Sequence, residues 1–228
     1  MATVGMGLRS TEMKAGQETA TLPVLPAEAL TRARALAVPG QRRLLGLVAA
    51  PGAGKSTLAQ LLAQALEGVA QVVPMDGFHL AQSELERLNR ADRKGAPDTF
   101  DSAGYVALLR RLRQPQAGET VYAPAFRREI EEPVAGAIAI PASVPLVVTE
   151  GNYLLLDVPH WREAVALLDE VWYLDVDDGL RRERLLRRHV AYGRSPEAAR
   201  HWVEHTDEPN ARLIEATRVR ATWWLRWD

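Results

Sequence analysis

The sequence predicts an α/β fold in three layers, with helices on both faces of a mainly parallel central sheet. Short apolar segments alternate with amphipathic segments of helical period along most of the chain, which is typical of repeated strand–helix units. A glycine-rich turn follows the first strong strand, and carboxylates follow three of the apolar segments. In a parallel sheet the carboxyl ends of the strands lie at one edge. The observations that predict the fold therefore also predict that the functional site lies at this edge.

The first three elements surround the glycine-rich turn. Residues 26–37 have apolar side chains at helical spacing and end before Pro39-Gly40, so they predict a helix. Residues 43–49 are a short apolar strand, and residues 55–66 again show helical spacing, with Leu58, Leu61 and Leu62 on one face. The predicted order is therefore strand, loop and helix.

The middle of the chain is richer in loops. Residues 70–75 predict a second strand, and residues 77–101 a loop-rich region. Asp101 is a typical N-cap for a helix over residues 102–113, which Pro115 ends. Turn signals and short β-prone pieces in residues 121–140 indicate a small excursion that covers one end of the sheet.

The last part of the chain returns to alternating elements. Strands are predicted at residues 145–149, 171–176 and 222–227, and helices at 160–168, at 180–192, which is strongly basic, and after Ser195-Pro196. No internal repeat or low-complexity linker divides the chain, so we expect one domain over residues 25–228 after a disordered, polar leader, residues 1–24.

Composition narrows the class of protein. With 28 basic and 29 acidic residues the net charge is −1, so no overall field favours nucleic acid or an anionic membrane, and we expect a small-molecule partner. The longest uncharged stretch, residues 134–149, is shorter than the ~20 residues of a membrane-spanning helix. The chain has no cysteine, which excludes disulfides and thiol chemistry and is compatible with a reducing cytoplasm, where we expect the protein.

The glycine-rich turn has the pattern of a phosphate-binding P-loop. Gly52 and Gly54 let the backbone curl so that its N–H groups point at phosphate oxygens, Lys55 adds a cation, and Ser56 offers a hydroxyl to Mg²⁺. Ala49 stands where the strict pattern has its first glycine. The residues predicted to bind ATP here are Pro51, Gly52, Ala53, Gly54, Lys55, Ser56 and Thr57. A dinucleotide-binding loop would need a third glycine, which is missing.

Three predicted strands end in carboxylates, at Asp76, Glu150 and Asp175. Phosphoryl transfer from ATP needs an oxygen ligand for Mg²⁺ and a base near the accepting hydroxyl, and Asp76 and Glu150 suit those roles. An acidic residue after a strand also commonly caps a turn, and for Asp175 we prefer that structural interpretation.

Four local motifs resemble one family of kinases. They are Met-Asp-Gly-Phe-His at residues 75–79, Arg-Lys-Gly-Ala-Pro-Asp-Thr-Phe-Asp at 93–101, Tyr-Ala-Pro-Ala-Phe-Arg-Arg at 122–128 and Thr-Glu-Gly-Asn-Tyr at 149–153. As an ordered set they resemble the phosphoribulokinase, uridine kinase and bacterial pantothenate kinase family of P-loop kinases. The likeness is greatest to its nucleoside kinase-like or fructose-transport kinase-like subgroup and spans roughly residues 42–220.

The resemblance implies a P-loop NTPase fold and an ATP-dependent kinase that uses Mg²⁺. It implies a substrate-covering insertion at about residues 77–140 and a helical lid at about 180–195. Asp76 would be the general base or would align the accepting hydroxyl, Ser56 would hold the metal, and Glu150 would assist the metal or the substrate. The catalytic residues would be Lys55, Asp76, Glu150 and Arg188; Arg194 would join the ATP site; and Asp76, His79, Arg93, Tyr122, Arg127 and Asn152 would contact the acceptor.

Several interpretations stay open from the sequence. His79 either lines the acceptor pocket or is a hydrogen-bonded structural residue, and most arginines of the basic helix suit a solvated face equally well. Trp223 and Trp224 either pack on the sheet or form a homodimer contact. The acceptor is a sugar, a nucleoside or a pantothenate-like metabolite. The alternative functions are a nucleotide-dependent switch, which lacks its usual motifs here, and a catalytically silent binding protein.

Overall fold

The computed structural model describes residues 23–227 and confirms the three-layer α/β fold. The strands are β1 (Arg43–Val48), β2 (Ala70–Pro74), β3 (Thr120–Arg127), β4 (Glu132–Pro141), β5 (Leu146–Glu150), β6 (Glu170–Asp175) and β7 (Trp223–Arg226). Five of them form a parallel sheet in the order β2-β5-β1-β6-β7, and β3 and β4 form a separate antiparallel pair.

Eight α-helices accompany these strands in the described residues. They are α1 (Ala27–Leu36), α2 (Lys55–Ala65), α3 (Gln82–Arg87), α4 (Ser102–Arg113), α5 (Trp161–Ala166), α6 (Asp178–Ala191), α7 (Pro196–Trp202) and α8 (Glu208–Glu215). Most lie within a few residues of their predicted positions. The sequence did not predict α3, which lies in the loop-rich region, or a π-helical turn, Val203–Asp207, between α7 and α8.

Both faces of the sheet carry a core because side chains alternate along each strand. In β1, Leu44 and Val48 pack with residues of α4 and α5, while Leu45 and Leu47 face α1 and α2. Each such buried side chain contributes about 1.5–3 kcal/mol to folding. Helices are therefore needed on both sides of the sheet.

The strand order brings three chain segments together. β2, β5 and β1 are neighbours and run parallel, so their carboxyl ends lie at the same edge. Glu150 is the last residue of β5 and is in register with Pro74 of β2 and Leu47 of β1. The turn that contains Asp76 follows β2 directly. The glycine-rich turn, Asp76 and Glu150 are thereby close in space.

The antiparallel pair β3–β4 lies against the turn after β2. A Cβ at Gly77 would be 2.4 Å from the carbonyl oxygen of Pro124 in β3, so only glycine allows this close approach. This packing is consistent with the predicted covering insertion at residues 77–140, which stays a prediction. The predicted leader falls almost entirely on residues 1–22, which lie outside the described residues.

The C-terminal tryptophans differ in their surroundings. Trp223 packs edge-on against Trp172 at 4.8 Å between ring centres, and Trp227 is buried. Trp224 on the edge strand β7 is 46% exposed. The homodimer stays a prediction. Across residues 23–227, no helix combines the length and the apolar composition needed to cross a membrane.

Candidate active site

The glycine-rich turn between β1 and α2 has the curvature that its two glycines predict. Gly52 and Gly54 have φ angles of 83° and 85°, in the left-handed region that glycine adopts without strain. Gly54 is the N-cap of α2, so the unpaired N–H groups of the first helical turn lie at the end of this loop. Ala49, in place of the first glycine, is fully buried. The loop therefore offers an N-terminal helix end to an anion.

Lys55 folds back over the loop. Its Nζ donates to the carbonyl oxygens of Ala49 at 3.1 Å and Ala50 at 3.4 Å, and the residue is only 8% exposed. Burial lowers the pKa of the Lys55 ammonium, while the carboxylates of Glu150 and Asp76 act in the opposite direction. A buried ammonium with few partners gains from an incoming anion.

Ser56 and Glu150 connect the first turn of α2 with the end of β5. The Ser56 hydroxyl donates to Oε1 of Glu150 at 2.8 Å, and Glu150 is 3% exposed. Burial raises the pKa of the Glu150 carboxyl, and the nearby Asp76 raises it further. An adjacent positive charge would favour the ionised carboxylate.

Asp76 lies in a one-turn 3₁₀ helix that follows β2. Its Oδ2 is 3.9 Å from Nη2 of Arg128, and its backbone carbonyl accepts a hydrogen bond from Nδ1 of His79 at 2.8 Å. The His79 ring lies between Phe100 and Phe126, at 4.1 and 4.7 Å from their ring centres. Burial lowers the pKa of His79, which favours its neutral form. His79 is thus hydrogen-bonded and also lines the cavity described next.

One cavity of about 510 Å³ joins these groups. The predicted site residues in its wall are Pro51, Gly52, Lys55, Ser56, Asp76, His79, Glu150, Asn152, Arg188 and Arg194. Arg188 extends from α6, and burial lowers the pKa of its guanidinium, as does the charge of Arg128. The cavity therefore combines residues of the P-loop, the carboxylates of Asp76 and Glu150, and the guanidinium groups of Arg188 and Arg194.

Six predicted residues lie outside this cavity wall, namely Ala53, Gly54, Thr57, Arg93, Tyr122 and Arg127. Arg93 instead pairs with Asp98 at 2.7 Å, and Tyr122 is 59% exposed. Arg127 is the exposed last residue of β3, whereas its neighbour Arg128 lines the cavity. Arg127 still belongs to the strand, whereas Arg128 is the first residue of the turn that connects β3 to β4. Asp175 lines a second cavity, of about 400 Å³.

The sequence did not identify several residues of the cavity wall. Arg128 lies over the ring of Tyr192 at 5.9 Å, and Trp202 lies under the predicted Arg194 at 3.8 Å. Lys94, in the 93–101 motif but not singled out as a site residue, lies over Phe126 at 5.6 Å. Asp207 and Asn210 reach the cavity from the π-helical turn and α8. In the sequence the paired residues are cations and aromatic residues in distant segments. No local periodicity indicates that they pair with one another.

One aromatic and one basic side chain approach the glycine-rich turn from outside the cavity. Nε1 of Trp227 lies 2.7 Å from where a Gly54 Cβ would be, and Nη1 of Arg184 lies 3.9 Å from the same point. Nη1 of Arg184 is buried without a hydrogen-bond partner among residues 23–227. Any larger residue at position 54 would displace this packing.

Known proteins are similar to this chain in sequence and in architecture. The chain is 35% identical over 190 residues to the Schizosaccharomyces pombe protein named "Putative uridine kinase C227.14", covering 78% of this chain and 80% of that one. It is 39% identical over 153 residues to the "ATP-dependent kinase-like protein notR'" of Aspergillus versicolor, covering 64% of this chain and 89% of that one. No protein-family model matches the sequence.

One crystal structure is similar to this chain in its fold as well as in its sequence. The "putative fructose transport system kinase" from Silicibacter sp. TM1040 superposes with a TM-score of 0.79 at 38% identity, covering 89% of this chain and all of that one. The chain belongs to the phosphoribulokinase and uridine kinase family of P-loop kinases. As a member of this family it is an ATP-dependent kinase-like protein, and the predicted family resemblance is confirmed.

Proposed function

We propose that this P-loop kinase transfers the γ-phosphoryl group of Mg²⁺-ATP to a hydroxyl group of a small metabolite. The observation that carries the proposal is the shared cavity, in which the loop residues Lys55 and Ser56 face the carboxylate of Asp76. His79, Lys94 and Phe100 line the same cavity. We propose that these residues form the acceptor chamber, beside the phosphate site.

The reaction assigns a role to each group. The loop N–H groups and Lys55 hold the phosphates, and the acceptor oxygen attacks the γ-phosphorus while the bond from that phosphorus to the ADP oxygen breaks. Asp76 takes the proton that the acceptor hydroxyl loses. Its side chain is 32% exposed and borders the chamber, so an acceptor can reach it.

The metal site is proposed from the chemistry of its donors. The Ser56 hydroxyl and the Glu150 carboxylate are hard oxygen ligands, 2.8 Å apart. Within residues 23–227 no group of three or more His, Cys, Asp or Glu side chains is arranged to hold a metal. Mg²⁺ in kinases commonly has one or two protein ligands and takes the rest from phosphates and water, so this pair fits. When bound, Mg²⁺ supplies positive charge to the phosphate oxygens.

The lid supplies the remaining positive charge. Arg188 and Arg194 line the cavity on the side of α6 and the turn that follows it. We propose that both approach the transferred phosphoryl group and that closure of this segment excludes water, which would otherwise hydrolyse ATP. The guanidinium carbon of Arg194 lies 3.8 Å from the ring centre of Trp202.

The acceptor is proposed only by class. A cavity wall with Asn152, Lys94, Arg128 and Glu131 suits a polar metabolite rich in hydroxyl groups. A fructose-like sugar or a nucleoside is the first choice, since one relative is named a uridine kinase and another a fructose transport system kinase. We also propose that the protein acts in the cytoplasm, without a nucleic-acid partner.

The test is ADP release from Mg²⁺-ATP with a panel of free sugars, nucleosides, pantothenate and sugar phosphates, with Lys55→Ala as the blank. Release that one acceptor stimulates and the blank abolishes is the expected result and names the substrate. Phosphorylation of pantothenate alone would overturn the choice of a sugar or nucleoside. Steady hydrolysis that no acceptor changes would favour the nucleotide-dependent switch instead.

A further inference from the structure

Arg181 connects the base of the lid helix α6 to the P-loop. Its guanidinium donates to three acceptors at once: Nε to Oδ1 of Asp178 at 3.2 Å, Nη1 to the carbonyl oxygen of Pro51 at 3.3 Å, and Nη2 to Oε1 of Glu208 at 2.5 Å. The side chain is only 3% exposed. A buried arginine with every nitrogen engaged is held in one orientation.

The contact with the carbonyl of Pro51 has a geometric consequence for the loop. In a trans peptide the C=O group and the following N–H group point in opposite directions. Arg181 holds the Pro51 carbonyl toward α6, outside the loop, so the N–H of Gly52 is directed away from α6. Gly52 lines the cavity, and an inward N–H there is what a phosphate oxygen needs.

The backbone of α6 also presses on the same peptide. A Cβ at Gly52 would be 2.6 Å from the carbonyl oxygen of Arg181 and 2.7 Å from Cγ of Leu185. The first half of α6 is therefore packed on the P-loop, and Arg188, in its second half, and Arg194, after its end, are the residues that line the cavity.

Glu208 holds Arg181 in place from the other side. It accepts from Arg181 and, through Oε2, from Arg182 at 2.7 Å. Burial acts to raise the pKa of Glu208, but the hydrogen bonds from Arg182 and Arg181 outweigh it and leave the pKa below its ordinary value. The carboxylate is thus ionised at neutral pH, and the pair is charged.

We propose that Arg181 is a positioning residue of the phosphate site: held by Glu208, it fixes the Pro51–Gly52 peptide so that the loop is ready for the phosphates before nucleotide binds. This proposal rests on the proposed function, because the loop's ligand is taken to be ATP. Arg181 thus sets the orientation of one peptide group, which is a different effect from stabilising the folded protein as a whole.

The test compares Arg181→Met with Arg182→Met. Both arginines pair with Glu208, but Arg182 is 51% exposed and does not contact Pro51, so it is a matched control. Binding of ADP is measured by calorimetry on the full chain, alongside the melting temperature. We expect Arg181→Met to weaken ADP binding about ten-fold, as loss of one buried hydrogen bond predicts, and Arg182→Met to change it less than about two-fold.

A second readout needs no nucleotide. Hydrogen exchange of the free protein should accelerate at residues 50–56 in Arg181→Met and stay unchanged there in Arg182→Met. Unchanged exchange and ADP affinity in Arg181→Met, or equal losses in both variants, would overturn the proposal. If the wild-type protein binds no ADP, the proposed function fails, and the exchange result alone decides the role of Arg181. Should Arg181→Met not fold, Arg181→Lys is used with the same criteria, and the loss should be smaller.

Discussion

The hydroxyl of Ser56 donates a hydrogen bond of 2.8 Å to Oε1 of Glu150, although 94 residues separate the two in sequence. The strand order β2-β5-β1 makes this contact, because it brings the end of β5 beside the loop that follows β1. Metal binding would replace this hydrogen bond with two oxygen–metal contacts. Metal binding needs the ionised carboxylate, and because burial and the neighbouring Asp76 raise the pKa of Glu150, protons compete with the metal as pH falls.

The first prediction concerns this pair. Ser56→Ala should raise the Mg²⁺ concentration for half-maximal ADP formation about ten-fold or more, because one oxygen ligand is lost. In the wild-type protein, the Mg²⁺ concentration for half-maximal ADP formation should fall as pH rises. The reason is that the raised pKa of Glu150 lets protons compete with the metal at low pH. Magnesium titrations at several pH values upward from 4.5, the ordinary pKa of the carboxyl, measure both effects. Ser56→Thr keeps the hydroxyl and serves as the control; an equal loss in that variant would argue against a metal-binding role.

The second prediction separates chemistry from nucleotide binding. Asp76→Asn keeps the shape of the side chain but cannot take a proton, so acceptor-dependent turnover should fall by about 10²–10⁴, with ADP affinity nearly unchanged. Asp175→Asn is the control, because Asp175 is also a carboxylate at the carboxyl end of the sheet, the last residue of β6, but lines the other cavity. Rates come from ADP release and affinities from calorimetry. Near-normal turnover in Asp76→Asn would show that another group is the base.

Much of the fold and part of the site followed from the sequence, for a physical reason. Strands and helices have short periods, so the P-loop, Asp76 and Glu150 were predicted from local patterns, and a parallel sheet brought them to one edge. Arg128 and Asp207 were not predicted as site residues. Their place in the cavity depends on how the β3–β4 pair and the π-helical turn pack, and this involves contacts between distant segments.

The third prediction uses two adjacent arginines. Arg128 is 3.9 Å from Asp76 and lines the cavity, whereas Arg127 is exposed outside it. Arg128→Ala should therefore reduce kcat/KM for the acceptor about ten-fold or more, while Arg127→Ala should leave it within about two-fold, since exposed charges contribute little. The measurement is steady-state kinetics with the acceptor that the panel identifies. A larger loss in Arg127→Ala would instead favour the residue that the family motif indicated.

The fourth prediction follows from the buried imidazole of His79. Its pKa is lowered from 6.5 by burial, while in the unfolded chain it takes up a proton at about that ordinary value. At a pH between these two pKa values, His79 therefore takes up a proton when the protein unfolds. The stability that His79 contributes is fully present above pH 6.5 and is lost as pH falls from 6.5 through the folded-state pKa.

The loss amounts to about 1.4 kcal/mol for each unit by which the pKa is lowered. Urea unfolding at several pH values below 6.5 should therefore show a steeper fall of the unfolding free energy for the wild-type protein than for His79→Gln, which has no titrating group at this position. His201→Gln, at an exposed position of α7, is the control for removing one histidine from the chain. Parallel slopes for the wild-type protein and His79→Gln would mean that His79 takes up its proton equally well in the folded and unfolded chains. In that case the aromatic enclosure by Phe100 and Phe126 would not be what keeps this imidazole neutral beside the cavity.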